Sequence, residues 1–288
     1  MTETDIIIIG TGPAGLEAAI TCVIRKKKIL LLGQKDLSAK LTKAHTVNNY
    51  LGFPDISGAD LAENFNKHIL ALDIEITEKR AASIYNMGDY FAVQSGAEMF
   101  QAKAIILATG MVQKTLLPGE EILIGKGVSY CATCDAALYP GKTAIVISYS
   151  EDEESEAEFL AEYADKVIYI PMYKDAKISK ENIEVIYAKP EEIIGENSFN
   201  LLKTDKGDIS ADGVFILREA IAPDVLIPGI ETDKGHVVVG KDMSSSIPGV
   251  FACGDITGLP YQYIKAAGEG NIAALSACAY VDSMSKGK

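Results

Sequence analysis

The 288-residue sequence predicts an α/β fold with two Rossmann-like three-layer domains, and three observations support this prediction. A continuous apolar segment at residues 6–9 runs directly into a glycine-rich turn and a helical pattern. The same order of strand, helix and strand begins again at residue 143. The chain also exceeds the roughly 250 residues at which a single hydrophobic core stops growing.

The glycine-rich turn reads Gly10-Thr-Gly12-Pro-Ala-Gly15 and lies between the strand at 6–9 and a helix over 16–24, with a second strand at 29–32. In a dinucleotide-binding turn Gly10 permits the tight bend, Gly12 lets the backbone approach a pyrophosphate, and Gly15 permits close packing. The helix N-terminus adds N–H donors and a positive dipole. A purely structural turn is the alternative, but the position directly after the first strand favours dinucleotide binding.

The rest of the pattern predicts two similar halves. The expected elements are a helix over 58–72, strands over 83–86, 90–94 and 104–108, a strand over 143–148, a helix over 153–164, a strand over 166–170, short strands between 184 and 211, and a strand over 213–217.

The second half lacks the glycines of the first. Residues 148–154 read Ser-Tyr-Ser-Glu-Asp-Glu-Glu where Gly-x-Gly-x-x-Ala is expected, and Glu156 and Glu158 follow. These carboxylates together should exclude a pyrophosphate, because two like charges 4 Å apart repel by roughly 1 kcal/mol in water and about 4 kcal/mol at an effective dielectric of 20. A solvated helix start explains the acidic residues but does not restore the turn. Pro171, Met172 and Tyr173 also stand where an arginine would hold a 2′-phosphate, so we expect no NADPH binding here.

Composition excludes other classes of protein. With 27 basic and 40 acidic residues the net charge is −13, which disfavours nucleic acid as a partner. No apolar stretch approaches the roughly 20 residues that span a bilayer, so we expect a cytoplasmic protein without a membrane partner. The basic tetrapeptide at 25–28 is either a docking site for an acidic protein or a solvated helix C-terminus.

Two of the five cysteines, Cys131 and Cys134, form a Cys-x-x-Cys motif that indicates redox or metal chemistry. Half of a zinc site is the alternative, but zinc takes four ligands, no second cysteine pair exists and the three histidines are scattered, so we expect no metal. Thiol–disulfide exchange is the favoured function. We expect Cys22, Cys253 and Cys278 to fill the core.

Four motifs carry a resemblance to a known family. They read Ala104-Ile-Ile-Leu-Ala-Thr-Gly110, Gly127-Val-Ser-Tyr-Cys131-Ala-Thr-Cys134-Asp135, Gly249-Val-Phe-Ala-Cys-Gly254-Asp255 and Ala266-Ala-Gly-Glu-Gly-Asn-Ile-Ala-Ala274. In this order the chain resembles the low-molecular-weight thioredoxin reductases over nearly its whole length. The resemblance implies a homodimeric flavoprotein whose FAD domain, residues 1–113 and 248–288, is split by an inserted Cys-x-x-Cys domain at 114–247.

The resemblance also implies roles for individual residues. The residues expected to bind FAD are Gly10, Gly12, Pro13, Ala14 and Gly15 at the pyrophosphate, Gln34 at the adenosine end, Asn49, Thr109 and Gly110 near the flavin, Gly254 and Asp255 at the ribitol, and Gln262 and Tyr263 against the flavin ring. The sequence departs from the family at Tyr261, which replaces an arginine, and at Gln34, where an acidic residue is expected to bind the ribose.

A flavin and a dithiol without a pyridine-nucleotide site need another reductant. In these losses the chain resembles the ferredoxin-dependent flavin thioredoxin reductases of anaerobic bacteria. This resemblance implies that electrons pass from reduced ferredoxin through FAD and the Cys131–Cys134 disulfide to thioredoxin, with Cys134 facing the flavin, Cys131 attacking thioredoxin and Asp135 protonating the leaving thiolate. The alternatives are an oxygen-using dithiol oxidase, a conventional NAD(P)H-dependent thioredoxin reductase with an atypical site, and a non-enzymatic flavin-binding redox sensor.

Overall fold

The computed structural model describes residues 2–35, 37, 39–42, 44–110, 116–130, 132–218 and 221–286. The chain divides into two compact units. The split unit comprises Met1–Met111 and Ala222–Lys288, and the inserted unit comprises Val112–Ile221.

The elements follow in chain order. The first segment of the split unit contains β1 (Thr2–Ile9), α1 (Pro13–Ile24), β2 (Ile29–Leu32), α2 (Ala39–Thr42), α3 (Gly58–Ala71), β3 (Ile76–Thr77), β4 (Ser83–Asn86), β5 (Phe91–Ser95) and β6 (Glu98–Leu107). The inserted unit contains β7 (Val128–Ser129), α4 (Ala132–Asp135), β8 (Thr143–Ser148), α5 (Glu154–Leu160), β9 (Lys166–Pro171), β10 (Ile183–Val185), β11 (Pro190–Gly195), β12 (Phe199–Thr204), β13 (Gly207–Ser210) and β14 (Gly213–Leu217). The second segment of the split unit contains α6 (Pro223–Leu226), β15 (Thr232–Asp233), β16 (His236–Val237), β17 (Val250–Ala252) and α7 (Tyr263–Lys286).

The sheet of the split unit has the order β3-β2-β1-β6-β5-β4, and β17 also pairs with β6. Strands β2, β1, β6 and β17 run parallel, and their last residues are level because Ile9 pairs with Leu32 and Leu107, and Leu107 pairs with Ala252. The four strands therefore end at one edge of the sheet, where a doubly wound fold binds its ligand.

One core of the split unit lies between its sheet and helices α1, α3 and α7. Small residues let α1 and α7 approach closely: a Cβ added to Gly270 would lie 2.2 Å from the carbonyl oxygen of Ala14. Cys22, Cys253 and Cys278 are buried free thiols, which confirms the prediction that they fill the core.

The inserted unit has a parallel sheet of order β10-β9-β8-β14-β7 and an antiparallel meander of β11, β12 and β13. The sheet is buried on both faces, since Ala144 and Val146 of β8 pack into one core while Ile145 and Ile147 pack into another. Burial on both faces is typical of a parallel sheet. The predicted fold class is confirmed.

Four predicted strands match the structure at both ends, namely those at 29–32, 83–86, 143–148 and 213–217. The predicted helix over 153–164 is shorter, because Glu151–Glu153 forms a 3₁₀ turn and α5 ends at Leu160. We expected the chain to return to its first domain near residue 247, and the structure puts the return at Ala222. In this stretch α6 packs against β4 and β16 packs against the 3₁₀ turn Gly254–Thr257, elements too short to produce a periodic pattern.

Of the helices in the described residues, none combines the length and apolar character that crossing a membrane requires. The basic tetrapeptide at 25–28 follows the C-terminus of α1, and Lys27 forms an ion pair with Asp282.

Candidate functional site

The glycine turn after β1 leaves no room for side chains at two of its positions. Gly10 has φ +115°, and a Cβ there would lie 2.2 Å from the carbonyl oxygen of Ala108. A Cβ on Gly15 would lie 1.9 Å from the carbonyl oxygen of Gly10. Helix α1 therefore packs directly against its own strand, as the sequence predicts.

Gly12 is different because its surroundings are open. It is the N-cap of α1, no side chain caps the helix, Pro13 occupies the first turn and no acidic residue lies there. A Cβ on Gly12 would meet no protein atom within 4 Å. Backbone N–H groups at a helix start with this geometry form an anion site, so the turn fits the pyrophosphate of a dinucleotide.

Gln34 follows β2 and lies beside the same turn, since the Thr11 hydroxyl donates to the Gln34 carbonyl oxygen at 2.8 Å. The end of β2 is further tied to β3 by a hydrogen bond from Gly33 N–H to the Thr77 carbonyl oxygen at 3.2 Å. Gln34 thus lies at the sheet edge, but an amide replaces the carboxylate that would bind a ribose hydroxyl.

The ends of β6 and β17 supply the next predicted residues. Thr109 and Gly110 follow β6 and are half-buried, and Gly110 has φ +69°. Gly254 has φ +86°, and a Cβ there would lie 2.9 Å from the Cβ of Ala14. Asp255 follows it and is half-buried.

Two predicted flavin contacts that are far apart in sequence meet in space. The side-chain amide of Asn49 donates to Oε1 of Gln262 at 2.6 Å across 213 residues. Tyr263 begins α7, and burial followed by the charge of Asp255 raises the pKa of its hydroxyl. Tyr261, which replaces the family arginine, forms a hydrogen bond with His236, with 2.7 Å between Oη and Nε2.

The sequence analysis did not single out three residues whose side chains stabilise the turn at 254–258, namely Thr257, Lys265 and Glu269. Glu269 accepts hydrogen bonds from Gly254 N–H at 2.9 Å and from the Thr257 hydroxyl at 2.8 Å. Lys265 donates to the carbonyl oxygens of Gly254 at 3.0 Å and Gly258 at 2.6 Å. The i,i+4 spacing of Lys265 and Glu269 on a helix was the available signal.

The corresponding edge of the inserted unit has no glycine turn. Strand β8 ends at Ser148, which is fully buried and donates from its hydroxyl to the Ser150 carbonyl oxygen at 2.8 Å. The chain then enters the 3₁₀ turn Glu151–Glu153 before the seven-residue α5 begins. Here a serine side chain bonds back to the loop, whereas Gly12 leaves open space.

A buried ion pair that the sequence analysis also missed occupies this edge. Arg218 donates to Glu120 through two hydrogen bonds, at 2.5 and 2.8 Å. The Tyr130 hydroxyl donates to Glu120 at 2.7 Å, and the Arg218 guanidinium lies 5.2 Å from the ring centre of Tyr149. We call Glu120, Arg218, Tyr130 and Tyr149 the edge network.

Glu120 is ionised in this setting. Burial opposes the charge and is the largest single influence, but the hydrogen bonds from Arg218, Tyr130 and Leu117 N–H together outweigh it and lower the pKa of Glu120 below 4.5. The arginine and the carboxylate are thus both charged, which satisfies the rule that buried charges are paired.

A second carboxylate cluster lies beyond β9, where the arginine for a 2′-phosphate is absent. The Tyr173 hydroxyl donates to Glu154 at 2.7 Å and lies 2.7 Å from the Tyr169 hydroxyl. Lys177 N–H also donates to Glu154, at 2.9 Å. Two phenols and a carboxylate are therefore hydrogen-bonded to one another at this position.

Cys131 lies outside the described residues, and the side chain of Cys134 is not described either. Cys134 and Asp135 belong to α4, which starts at Ala132, a residue buried in the core with Tyr139 and Phe215. Before the motif, β7 ends at Ser129 and is followed by Tyr130, a member of the edge network.

Comparison with known proteins adds to this geometry. A family model described as pyridine nucleotide-disulphide oxidoreductase matches residues 4–147 and 158–270. A thioredoxin reductase from Listeria innocua is 31% identical, with 97% of this chain and 94% of that protein covered. The chain belongs to the thioredoxin reductase family.

Two solved structures, both titled ferredoxin-flavin thioredoxin reductase from Clostridium acetobutylicum, are similar to this member of the family. One is 49% identical with a TM-score of 0.89 and covers 99% of this chain and 100% of its own. The other is 44% identical with a TM-score of 0.94 and covers 98% and 99%. The chain is a thioredoxin reductase-like flavoprotein disulfide reductase with FAD as its cofactor.

The gap in the family match coincides with the altered turn. The two matched stretches leave out residues 148–157, which contain the end of β8, the 3₁₀ turn and the start of α5. The family pattern is thus interrupted at the position where the pyridine-nucleotide turn is expected.

Proposed function

We propose that this thioredoxin reductase takes its electrons from reduced ferredoxin and not from NAD(P)H. The observation that carries the proposal is the edge of the inserted unit, where Ser148 closes the turn and an acidic 3₁₀ turn replaces the helix start. A pyrophosphate would meet carboxylates in place of free N–H groups. The names of the two Clostridium acetobutylicum structures support the same donor.

We further propose that the split unit is the FAD domain and the inserted unit the redox-active domain. The residues proposed to hold FAD are Gly10, Gly12, Pro13, Ala14, Gly15, Gln34, Asn49, Thr109, Gly110, Gly254, Asp255, Gln262 and Tyr263. The open N-terminus of α1 and the hydrogen bond between Asn49 and Gln262 support this assignment. Bound FAD would accept electrons one at a time from an iron–sulfur protein and would deliver two electrons to a disulfide.

In the proposed reaction Cys131 attacks the thioredoxin disulfide and Cys134 resolves the mixed disulfide, while Asp135 supplies a proton to the departing thiolate. In total, two reduced ferredoxins and two protons convert one disulfide to a dithiol. A donor near −400 mV and thioredoxin near −270 mV differ by about 130 mV, roughly 6 kcal/mol for two electrons. The proposed direction is therefore downhill.

Anaerobic spectroscopy tests the electron donor. The holoenzyme is mixed with NADPH, NADH or chemically reduced ferredoxin, flavin absorbance is followed, and oxidised thioredoxin is then added. We expect bleaching by ferredoxin alone and recovery of absorbance with thioredoxin. Rapid bleaching by NADPH would overturn the proposal, and fast oxygen-dependent turnover with small dithiols would indicate a dithiol oxidase.

The roles of the cysteines are tested by Cys131→Ser. Thioredoxin reduction should fall by at least about 1000-fold because the attacking nucleophile is lost. Flavin bleaching by ferredoxin should persist in this variant. Cys278→Ser, which changes a buried thiol of α7, is the matched control and should keep thioredoxin reduction near the wild-type rate. Wild-type turnover by Cys131→Ser would refute the assignment.

A further inference from the structure

A groove of about 400 Å³ lies in the inserted unit at the end of β9. Its walls are the end of β9 with the chain that follows, the connection between β10 and β11, and the turn between β12 and β13. We call it the lysine groove, and six of its nine lining residues are exposed, namely Met172, Lys174, Tyr187, Lys189, Asp205 and Lys206. Because Ser148 of β8 pairs with Pro171 of β9, the groove adjoins the sheet edge where related folds bind a ligand.

Hydrogen bonds fix the walls of the lysine groove. Lys189 N–H donates to the carboxylate of Asp205 at 2.7 Å, and Asp205 N–H donates to the Lys189 carbonyl oxygen at 3.1 Å. These two bonds join the β10–β11 connection to the turn after β12. Met172 N–H donates to the Ser148 carbonyl oxygen at 2.7 Å, which ties the third wall to the end of β8. The groove is therefore preformed, and a preformed surface lowers the entropic cost of binding.

Three lysines give the groove a positive charge. Within the described part of the chain, the ammonium groups of Lys174, Lys189 and Lys206 form no ion pair. Other lysines of the inserted unit are paired with glutamates, namely Lys166, Lys177, Lys180 and Lys203. The lining residues carry three positive charges and the single negative charge of Asp205. Since the chain as a whole has a net charge of −13, the groove differs in sign from the protein around it.

Apolar side chains are exposed in the same groove. Met172 is 37% exposed and Tyr187 is 48% exposed. Tyrosine and methionine are enriched in protein interfaces, and the flexible methionine adapts to the shape of a partner. A pocket for a small molecule encloses most of its ligand, whereas the lysine groove is lined mainly by exposed residues. Its shape therefore suits a segment of a macromolecule.

We propose that the lysine groove is a docking site for a carboxylate-rich segment of an acidic partner protein. A single small anion would gain little here, because water screens each exposed ammonium group. A segment with several carboxylates engages the three lysines together, while an apolar side chain of the segment covers Met172 and Tyr187. The negative charge elsewhere repels such a partner, so the groove also determines its orientation. This proposal goes beyond the proposed function and does not depend on the electron donor.

The test is a binding titration of the holoenzyme by fluorescence anisotropy. The probe is a fluorescein-labelled polyglutamate peptide with a phenylalanine at its centre. The groove variant combines Lys174→Glu, Lys189→Glu and Lys206→Glu, and its Kd for the peptide should be at least about tenfold above that of wild type, because three attractions become repulsions. Binding by the wild type should also weaken as ionic strength rises, since exposed charges are screened. All three lysines are exposed, and circular dichroism verifies that the variant folds.

The matched control combines Lys28→Glu, Lys234→Glu and Lys241→Glu, which changes three exposed lysines of the split unit and gives the same net charge. Its Kd for the peptide should stay within about twofold of wild type, because these positions are distant in the chain from the groove. Equal losses in the two variants would overturn the proposal, since bulk charge would then explain the binding.

Three further results would overturn the proposal. The first is a wild type that does not bind the peptide at concentrations up to about 1 mM. The second is displacement of the peptide by orthophosphate at a lower ionic strength than sodium chloride requires, which would indicate a phosphate site. The third is tighter binding of a labelled oligothymidylate than of the peptide, which would indicate a nucleic acid. Because flavin bleaching is measured separately, failure here is distinguishable from failure of the proposed function.

Discussion

In both units the parallel strands end in loops at one sheet edge. The edge of the split unit is open, whereas side chains close the edge of the inserted unit. In the split unit Gly12 leaves open space before an uncapped helix. In the inserted unit Ser148 bonds back to its loop, and the Glu120–Arg218 pair joins the neighbouring strand ends. The same architecture therefore either presents an anion site or supplies its own anion and cation.

The strand ends of a Rossmann-like unit can be joined by the chain's own side chains where the other unit leaves open space. Without partners, buried polar groups at the strand ends would remain unsatisfied. Each unpaired buried group costs about 1–3 kcal/mol. Arg218 and Glu120 satisfy one another and the hydroxyl of Tyr130. Side chains of the chain itself thus hold the inserted edge together.

The largest expected effect comes from breaking the buried pair at the inserted edge. Arg218→Met should lower the free energy of unfolding by about 3–5 kcal/mol because the buried carboxylate of Glu120 would lose its counter-ion. Denaturant unfolding followed by circular dichroism measures the change. The control Arg25→Met alters an exposed arginine after α1 and should stay within about 0.5 kcal/mol of wild type. Equal losses in both variants would contradict the role of the pair.

The open glycine of the split edge gives the next effect. Gly12→Ala should weaken FAD binding about tenfold, equivalent to about 1.4 kcal/mol, because the new Cβ occupies the space that the turn leaves for the pyrophosphate. Thermal stability of the apoprotein should not change, since that Cβ meets no protein atom within 4 Å. Gly15→Ala is the contrasting variant and should destabilise the fold itself. Flavin fluorescence titration and thermal melts separate the two outcomes.

Acid should weaken the inserted edge. The pKa of folded Glu120 lies below its ordinary value of 4.5, so its ion pair stabilises the protein fully above that pH and the stabilisation is lost as pH falls through the folded pKa. Below pH 4.5 the free energy of unfolding falls as pH falls, and Glu120 contributes up to one bound proton to that slope. Replacing Glu120 should therefore reduce the slope by up to about 1.4 kcal/mol per pH unit.

Acid titrations of wild type, Glu120→Gln and Glu78→Gln measure this difference. Glu78 also has a lowered pKa, caused first by its hydrogen bond with Lys35, but the pair is exposed and screened by solvent. Glu78→Gln should therefore keep the wild-type pH dependence. A Glu120→Gln variant with an unchanged slope would show that the buried pair contributes no acid sensitivity.

The smallest effect is expected from restoring glycines to the inserted edge. Ser148→Gly combined with Ser150→Gly should leave the Kd for NADPH above about 1 mM, because Glu151, Glu153 and Glu154 remain at the start of the next turn. Isothermal titration calorimetry checks this. Micromolar NADPH binding by the double variant would mean that the two serines alone abolished the site.

The sequence alone predicted most of the features that obey local rules. The glycine turn at 10–15, four strands to the residue and the missing turn at 148–154 were readable because apolar runs and glycine positions are local signals. The helix over 153–164 was predicted too long mainly at its C-terminal end, where α5 ends at Leu160 and residues 161–163 form turns whose apolar residues continue the helical spacing. The second crossing between units was placed too late because its elements are only two to four residues long.

Features that depend only on neighbouring residues are evident in the sequence: a turn that fits a pyrophosphate, a turn without the required glycines, and a Cys-x-x-Cys motif. The tertiary structure alone decided that Asn49 meets Gln262 and that Glu120 meets Arg218. The physical reason is that a buried charge needs a partner but does not specify where along the chain it lies. Glu120 and Arg218 are 98 residues apart, and only the order of parallel strands brings them to one sheet edge.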